Sequence, residues 1–166
     1  MATLIGCGSH ARDILLSGIR FTHQVCHHTM YAGEPWDSIT IGVNNPWIRD
    51  EIAKTLGKED WSWEHPTAHI SESSWKGGTH INANVTIIRT KIGHHVTISP
   101  GVTICGDVTI GNRCLIGAGA TICDRVTIGD DVTVGAGAVV LPESVVDSNA
   151  TIIGVPARYA DGRPVK

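Results

Sequence analysis

Two folds in series are predicted for this chain: a small α/β unit over residues 1–64 and an all-β parallel β-helix over 65–158, with a short tail at 159–166. Three observations carry the prediction. A glycine-rich strand–turn–helix pattern opens the chain, an unbroken six-residue apolar period runs from Ile92, and the aromatic content changes sharply between them. Phe21, Tyr31, Trp36, Trp47, Trp61, Trp63 and Trp75 precede residue 76, and only Tyr159 follows it. A core packed with rings gives way to one built without them, which puts a boundary near residue 70.

In chain order, Thr3-Leu4-Ile5-Gly6-Cys7-Gly8 reads as a short buried strand entering a glycine turn, and Ala11 to Ser17 as the helix that follows. Gly6-x-Gly8-x-x-Ala11 fits the turn in which glycines let the backbone approach a phosphate and a helix N-terminus supplies amide donors. In this strand–turn–helix context the unit reads as Rossmann-like and nucleotide-binding; an ordinary tight turn is the competing reading. Phe21 to His28 and Ser38 to Val43 read as further strands. Asn44-Asn45-Pro46 then starts a helix through Leu56, with Asn before Pro as a helix-start signal. This β-α-β-β-α order is small for a full dinucleotide-binding fold.

The second half is governed by its period. Ile92, Ile98, Ile104, Ile110, Ile116, Ile122, Ile128, Val134, Val140, Val146 and Ile152 recur every six residues, and a mostly small residue lies four places after each, such as Val96, Cys114 or Ala120. A helix repeats near 3.6 and a strand at 2, so six points to a parallel β-helix whose triangular coils stack three short sides each. Inward β-branched residues fill a narrow prism with no room for Trp. Upstream, Ile81 and Ile87 are one residue out of phase with Ile92, and Ile70 is again short by one. Coils are therefore predicted to start near residue 66 or 70, to number about five, and to place His80 beneath Thr97 and Cys105 against Cys123. The stacked cysteines read as a ladder of small side chains.

Composition narrows the function. At 166 residues and 17.7 kDa, with 42% hydrophobic and 17% charged residues and a mean hydropathy of +0.05, the chain is globular rather than disordered. A net charge of −3 and pI near 6.3 give no reason to expect nucleic acid or an anionic membrane. No apolar run is long enough to span a bilayer, no export signal is evident, and five cysteines read as reduced thiols in the cytoplasm.

A Gly-x-Gly-x-His-Ala turn (Gly6 to Ala11), a His-Pro-Thr-Ala hinge (His65 to Ala68), six-residue coils and a closing Gly-Val-Pro-Ala-Arg (Gly154 to Arg158) follow one another in this chain. In that order it resembles the hexapeptide-repeat sugar O-/N-acyltransferases of the sialic acid O-acetyltransferase and nucleotide-amino-sugar N-acetyltransferase type. The resemblance covers essentially the whole chain, being strongest from Lys91 to Arg158 and weakest over residues 20–37. It implies a left-handed winding, a homotrimer with acetyl-CoA in the groove between neighbouring β-helices, and a His that takes a proton from the attacking sugar amine or hydroxyl. No metal is expected. The nucleotide-sugar would sit near Gly8, Ser9 and His10, with further contacts at Gly42 and Asn44. His27 and His28 fall at the end of the second strand, where the family usually has acidic residues. Gly106 and Ala118 match backbone positions along the CoA arm, Arg158 is placed for the CoA phosphates, and Thr97 replaces a second family His near the acetyl group.

The chain departs from the family at the catalytic motif: Ile87-Ile88-Arg89-Thr90 stands where the family has Asn-His-Asp/Glu-Cys, so Ile88 replaces the base. His80, next to Thr97, and the corner pair His94 and His95, read as facing outward, are the candidates for a relocated base. His23, His65 and His69 read as structural. Two other classes stay open: a trimer that binds nucleotide-sugar or CoA without transfer, and a zinc enzyme of the gamma carbonic anhydrase type, which the adjacent His94 and His95 suit poorly.

Overall fold

The computed structural model describes Asn45, Pro46, Trp47, Asp50, Lys54 and residues 62–166. The expected N-terminal turn, strands and first helix lie outside the described residues. Of the helix expected from Pro46, residues Pro46, Trp47, Asp50 and Lys54 are helical.

The remainder is a parallel β-solenoid of three faces. The first face stacks Trp63–Glu64, His80–Ile81, Thr97–Ile98, Leu115–Ile116, Thr133–Val134 and Thr151–Ile153. His69–Ser71, Thr86–Ile88, Thr103–Ile104, Thr121–Ile122 and Val139–Val140 make the second, and Ser74–Trp75, Lys91–Ile92, Thr109–Ile110, Thr127–Ile128 and Val145–Val146 the third. Among the described residues the first side is Trp63–Glu64, one side earlier than predicted, because Trp63 and Glu64 pair with His80 and Ile81 although they lack the Ile/Val signature.

The phase slips have a physical form. His80 pairs with Thr97 and Thr86 with Thr103, seventeen residues apart, whereas Lys91 pairs with Thr109, eighteen apart. The two short sides, ending at Trp75 and Ile92, pair with each other, so the deletion in one coil is matched in the next. Register is thereby kept, and every residue of the six-residue series from Ile92 to Ile152 is at most 4% exposed. At roughly 25 cal/mol per Å² of apolar surface, these three inward columns, one per face, drive the stacking of the coils.

Three corners join the faces, each with a residue in the left-handed region. Glu72, Arg89, Asp107, Arg125 and Glu143 line the charged corner between the second and third faces. Gly78, His95, Arg113, Asp131 and Asn149 line the corner between the third and first. Asn84, Gly101, Gly119 and Gly137 line the corner between the first and second. The ladder continues through these turns: Arg113 N–H donates to His94 O at 2.8 Å, and Gly119 N–H to Pro100 O at 3.0 Å.

Residues 159–166, read from sequence as a tail, close the C-terminal end. Arg158–Tyr159 pairs antiparallel with Thr151–Ile153, Tyr159 is buried, and Val145 N–H donates to Lys166 O at 2.6 Å. An open coil end is an unpaired sheet edge, and this segment covers it. No helix among the described residues is long and apolar enough to cross a membrane.

Candidate functional site

Alternation of side chains puts Ile88, Cys105, Cys123 and Leu141 in one outward column on the second face, each following an inward Ile or Val. Ile88 and Leu141 are 40% and 51% exposed. Beside them at the charged corner, Gly106 N–H donates to Asp124 Oδ1 at 2.9 Å, and a side chain at Gly106 would strike the Arg89 guanidinium. Arg89 reaches Asp107 at 3.3 Å and Arg125 reaches Glu143 at 2.9 Å, but all four side chains are at least half exposed. Such pairs contribute roughly 0–1 kcal/mol each.

The two stacked cysteines are half-buried thiols, and burial pushes Cys105 up, with the Asp124 carboxylate adding to it. Cys114 points inward, donates to Gly129 O at 3.1 Å, and is pushed up to about 11 by burial. Only the thiolate attacks electrophiles. Iodoacetamide at pH 8 on native protein is therefore expected to leave Cys114 unmodified while Cys123 labels. Equal labelling of the two by peptide mass spectrometry contradicts the inward placement.

The corner between the third and first faces is built differently. Arg113 forks onto Asp131 with two 2.7 Å bonds, and Trp47 Nε1–H donates to the same Asp131 Oδ1 at 2.7 Å. Arg113, and then Trp47, hold the Asp131 carboxyl below the usual carboxylate range against the opposing effect of burial. One coil below, His95 Nε2 lies 3.4 Å from Asp50 Oδ1, with both side chains under 15% exposed. The ring covers Gly78, whose missing Cβ would otherwise collide with it. Outward of these, Asn112, Asp130 and Ser148 form a column in which each side-chain oxygen takes an amide from the coil below: His94 N, Asn112 N and Asp130 N.

At the glycine corner three of the four left-handed residues carry no side chain. A Cβ at Gly101, Gly119 or Gly137 would meet nothing, and Ala118 beside it is exposed.

The predicted residues separate accordingly. His80 and Thr97 do pair on the first face, but are 5% and 1% exposed, so this imidazole is covered. His94 is exposed. His95 departs from the outward reading, because its ring folds onto Gly78 toward Asp50. Gly106 lies at the charged corner, Ala118 at the glycine corner, and Arg158 is exposed in the closing segment. Gly8, Ser9, His10, His27, His28, Gly42 and Asn44 lie outside the described residues. Among the described residues, the candidates are thus distributed over different edges of the prism. Among the described residues, no group of three His, Cys, Asp or Glu side chains could hold a metal ion. Sequence reasoning missed the cluster of Trp47, Asp50, Arg113 and Asp131. The eighteen-residue spacing of Arg113 and Asp131 was a usable signal for half of it.

The family described as bacterial transferase hexapeptide (six repeats) matches residues 89–124, and that described as hexapeptide repeat of succinyl-transferase matches 107–142. A comparison with curated protein sequences returns no match. Among solved structures, the acetyltransferase domain of PglB from Neisseria gonorrhoeae is similar at 25% identity over 95% of this chain and 98% of that one, with TM-score 0.60. PerB from Caulobacter crescentus, solved with CoA and GDP-perosamine, is similar at 26% identity over 74% of this chain and 69% of that one, with TM-score 0.56. WeeI from Acinetobacter baumannii, at 16% identity over 96% of this chain and 100% of that one and TM-score 0.68, shares the fold. By its repeat, its three-faced prism and these likenesses, the chain is similar to the hexapeptide-repeat sugar acyltransferases, and the match to the hexapeptide-repeat families falls on its coils.

Proposed function

We propose that this protein transfers an acyl group, acetyl in the first instance, from acyl-CoA to a nucleotide-linked amino sugar or related sugar. The likeness over 95% of the chain to an acetyltransferase domain carries this reading. On it, the N-terminal part is the nucleotide-sugar-binding unit and the coils wind left-handed. Three copies assemble so that the edges of neighbouring prisms enclose one groove. That assembly would unite residues that a single chain holds apart.

The glycine corner fits a thin CoA arm, since its backbone is approachable and no Cβ projects from Gly101, Gly119 or Gly137. Ala118 and Gly106 would line the arm, Thr97 would lie near the acyl group, and Arg158 is exposed to meet its phosphates. Acetyl-CoA supplies the activated acyl group; the protein must hold the two substrates in one ternary complex and accept the proton of the attacking amine or hydroxyl. Ile88 cannot accept a proton. His94 is the exposed imidazole of the three candidates, so the role falls to it before the covered His80 and His95.

The exposed Ile88 also favours a second reading, a trimer that binds the same ligands without transfer. Calorimetry with CoA and a series of nucleotide-amino-sugars tests the binding that both readings share, and absence of heat with every ligand overturns both. In a turnover assay, His94→Ala is expected to lower kcat about 100-fold or more with CoA affinity retained. Unchanged turnover in His94→Ala, His80→Ala and His95→Ala removes the relocated base.

A further inference from the structure

Trp47, Asp50 and Lys54 lie at i, i+3 and i+7 of their helical stretch, and so share one side of it. Two of the three bind the coils. Trp47 Nε1–H donates to Asp131 Oδ1 at 2.7 Å, and Asp50 lies 3.4 Å from His95 while accepting from Lys54 Nζ at 2.7 Å. Asp131 is already forked by Arg113, so a charged and pre-oriented acceptor receives the indole N–H. These side chains are only 18% and 32% exposed, against 50–69% for the ion pairs at the charged corner, so this pair is desolvated as the others are not. The contact falls on the first turn of the stretch, where Asn45 Oδ1 accepts Trp47 N–H at 3.0 Å.

We propose that Arg113 and Asp131 are positioning residues that bolt the chain just after Asn45 onto the coils and thereby set the affinity for the acceptor sugar nucleotide without touching it. The link to the acceptor rests on the reading under Proposed function, in which Asn44, bonded directly to Asn45, contacts that ligand. The bolt itself rests only on the geometry above.

Asp131→Ala and Trp47→Phe test it, the latter removing the indole N–H while keeping a ring. Both remove the indole's charge-assisted hydrogen bond to the coils and are expected to raise KM for the nucleotide-amino-sugar about tenfold. The change in kcat and in KM for acetyl-CoA should stay within about twofold, and Asp131→Asn, which keeps an acceptor oxygen, should recover part of the loss. Arg125→Ala breaks a like ion pair at the charged corner and should leave all three constants unchanged. Hydrogen exchange is read on the same proteins. Amides at 47–54 should exchange about tenfold faster in the first two variants while those of the coils do not. Unchanged exchange at 47–54 overturns the bolt. Faster exchange with an unaltered acceptor KM overturns the positioning role. If the unmodified protein transfers to no sugar nucleotide, the functional reading has failed, and exchange alone decides the bolt.

Discussion

Replacing Gly117 with alanine is expected to destabilise the protein by about 3 kcal/mol, whereas Gly119→Asn, two residues on, costs less than about 1 kcal/mol. At Gly117 a Cβ would lie 2.5 Å from Ala136 N and 2.8 Å from both Gly135 C and Val134 O. All three are backbone atoms of the next coil. Neither coil can yield, because Gly117 N–H donates to Val134 O at 2.8 Å and the same ladder runs on through Gly135 N–H to Ile152 O. Gly119 has the opposite problem: its φ is +65°, and the space beside it is open. Asn84 and Asn149 hold the same backbone conformation at φ 56° and 60°, so asparagine adopts it at little cost. Thermal melts of the two variants separate these causes. Equal melting temperatures contradict the assignment of one glycine to coil stacking and the other to backbone angle.

The closing segment gives the second large effect. Tyr159 is 6% exposed, its hydroxyl accepts Asp147 N–H at 3.1 Å, and the Arg163 guanidinium lies over the ring at 4.8 Å. Tyr159→Ala removes the lid of the last coil and is expected to destabilise by about 3–5 kcal/mol. Tyr159→Phe keeps the ring and loses one hydrogen bond, about 1 kcal/mol. The alanine variant also releases Val145 N–H and its neighbours as an open edge, so light scattering should rise on heating before the bulk of the prism melts. A variant that melts with the unmodified protein and stays clear contradicts the capping role.

The solenoid was legible because its energetics are one-dimensional: an inward Ile or Val every six residues is required by each coil and visible in each. Even the irregularities were readable. The slip between Ile87 and Ile92 placed His80 under Thr97, and the structure pairs them. Where the signature is absent, reading fell short. Trp63–Glu64 forms a side by backbone pairing without the Ile/Val signature, and Tyr159 caps through an end contact that no period encodes.

The candidate site was less legible for a geometric reason. Position in the repeat specifies a face or a corner, and His94, read as facing outward from its corner, is exposed. It does not specify what comes to rest against that corner. Asp50 is forty-five residues from His95 and outside any repeat, so the ring's turn toward it followed from no spacing. Arg113 and Asp131 were available to an eighteen-residue count, yet their third partner Trp47 was not.

The most direct test of acyl transfer is the mass of the acceptor itself. Purified protein is incubated with acetyl-CoA and a set of nucleotide-amino-sugars, and each sugar nucleotide is then read by mass spectrometry. The account predicts that at least one gains a single acetyl group, with an equal amount of free CoA released and His94→Ala producing far less. Tight binding of CoA and sugar nucleotide with every acceptor recovered at its starting mass would contradict it, and would identify the protein as a binder that transfers nothing.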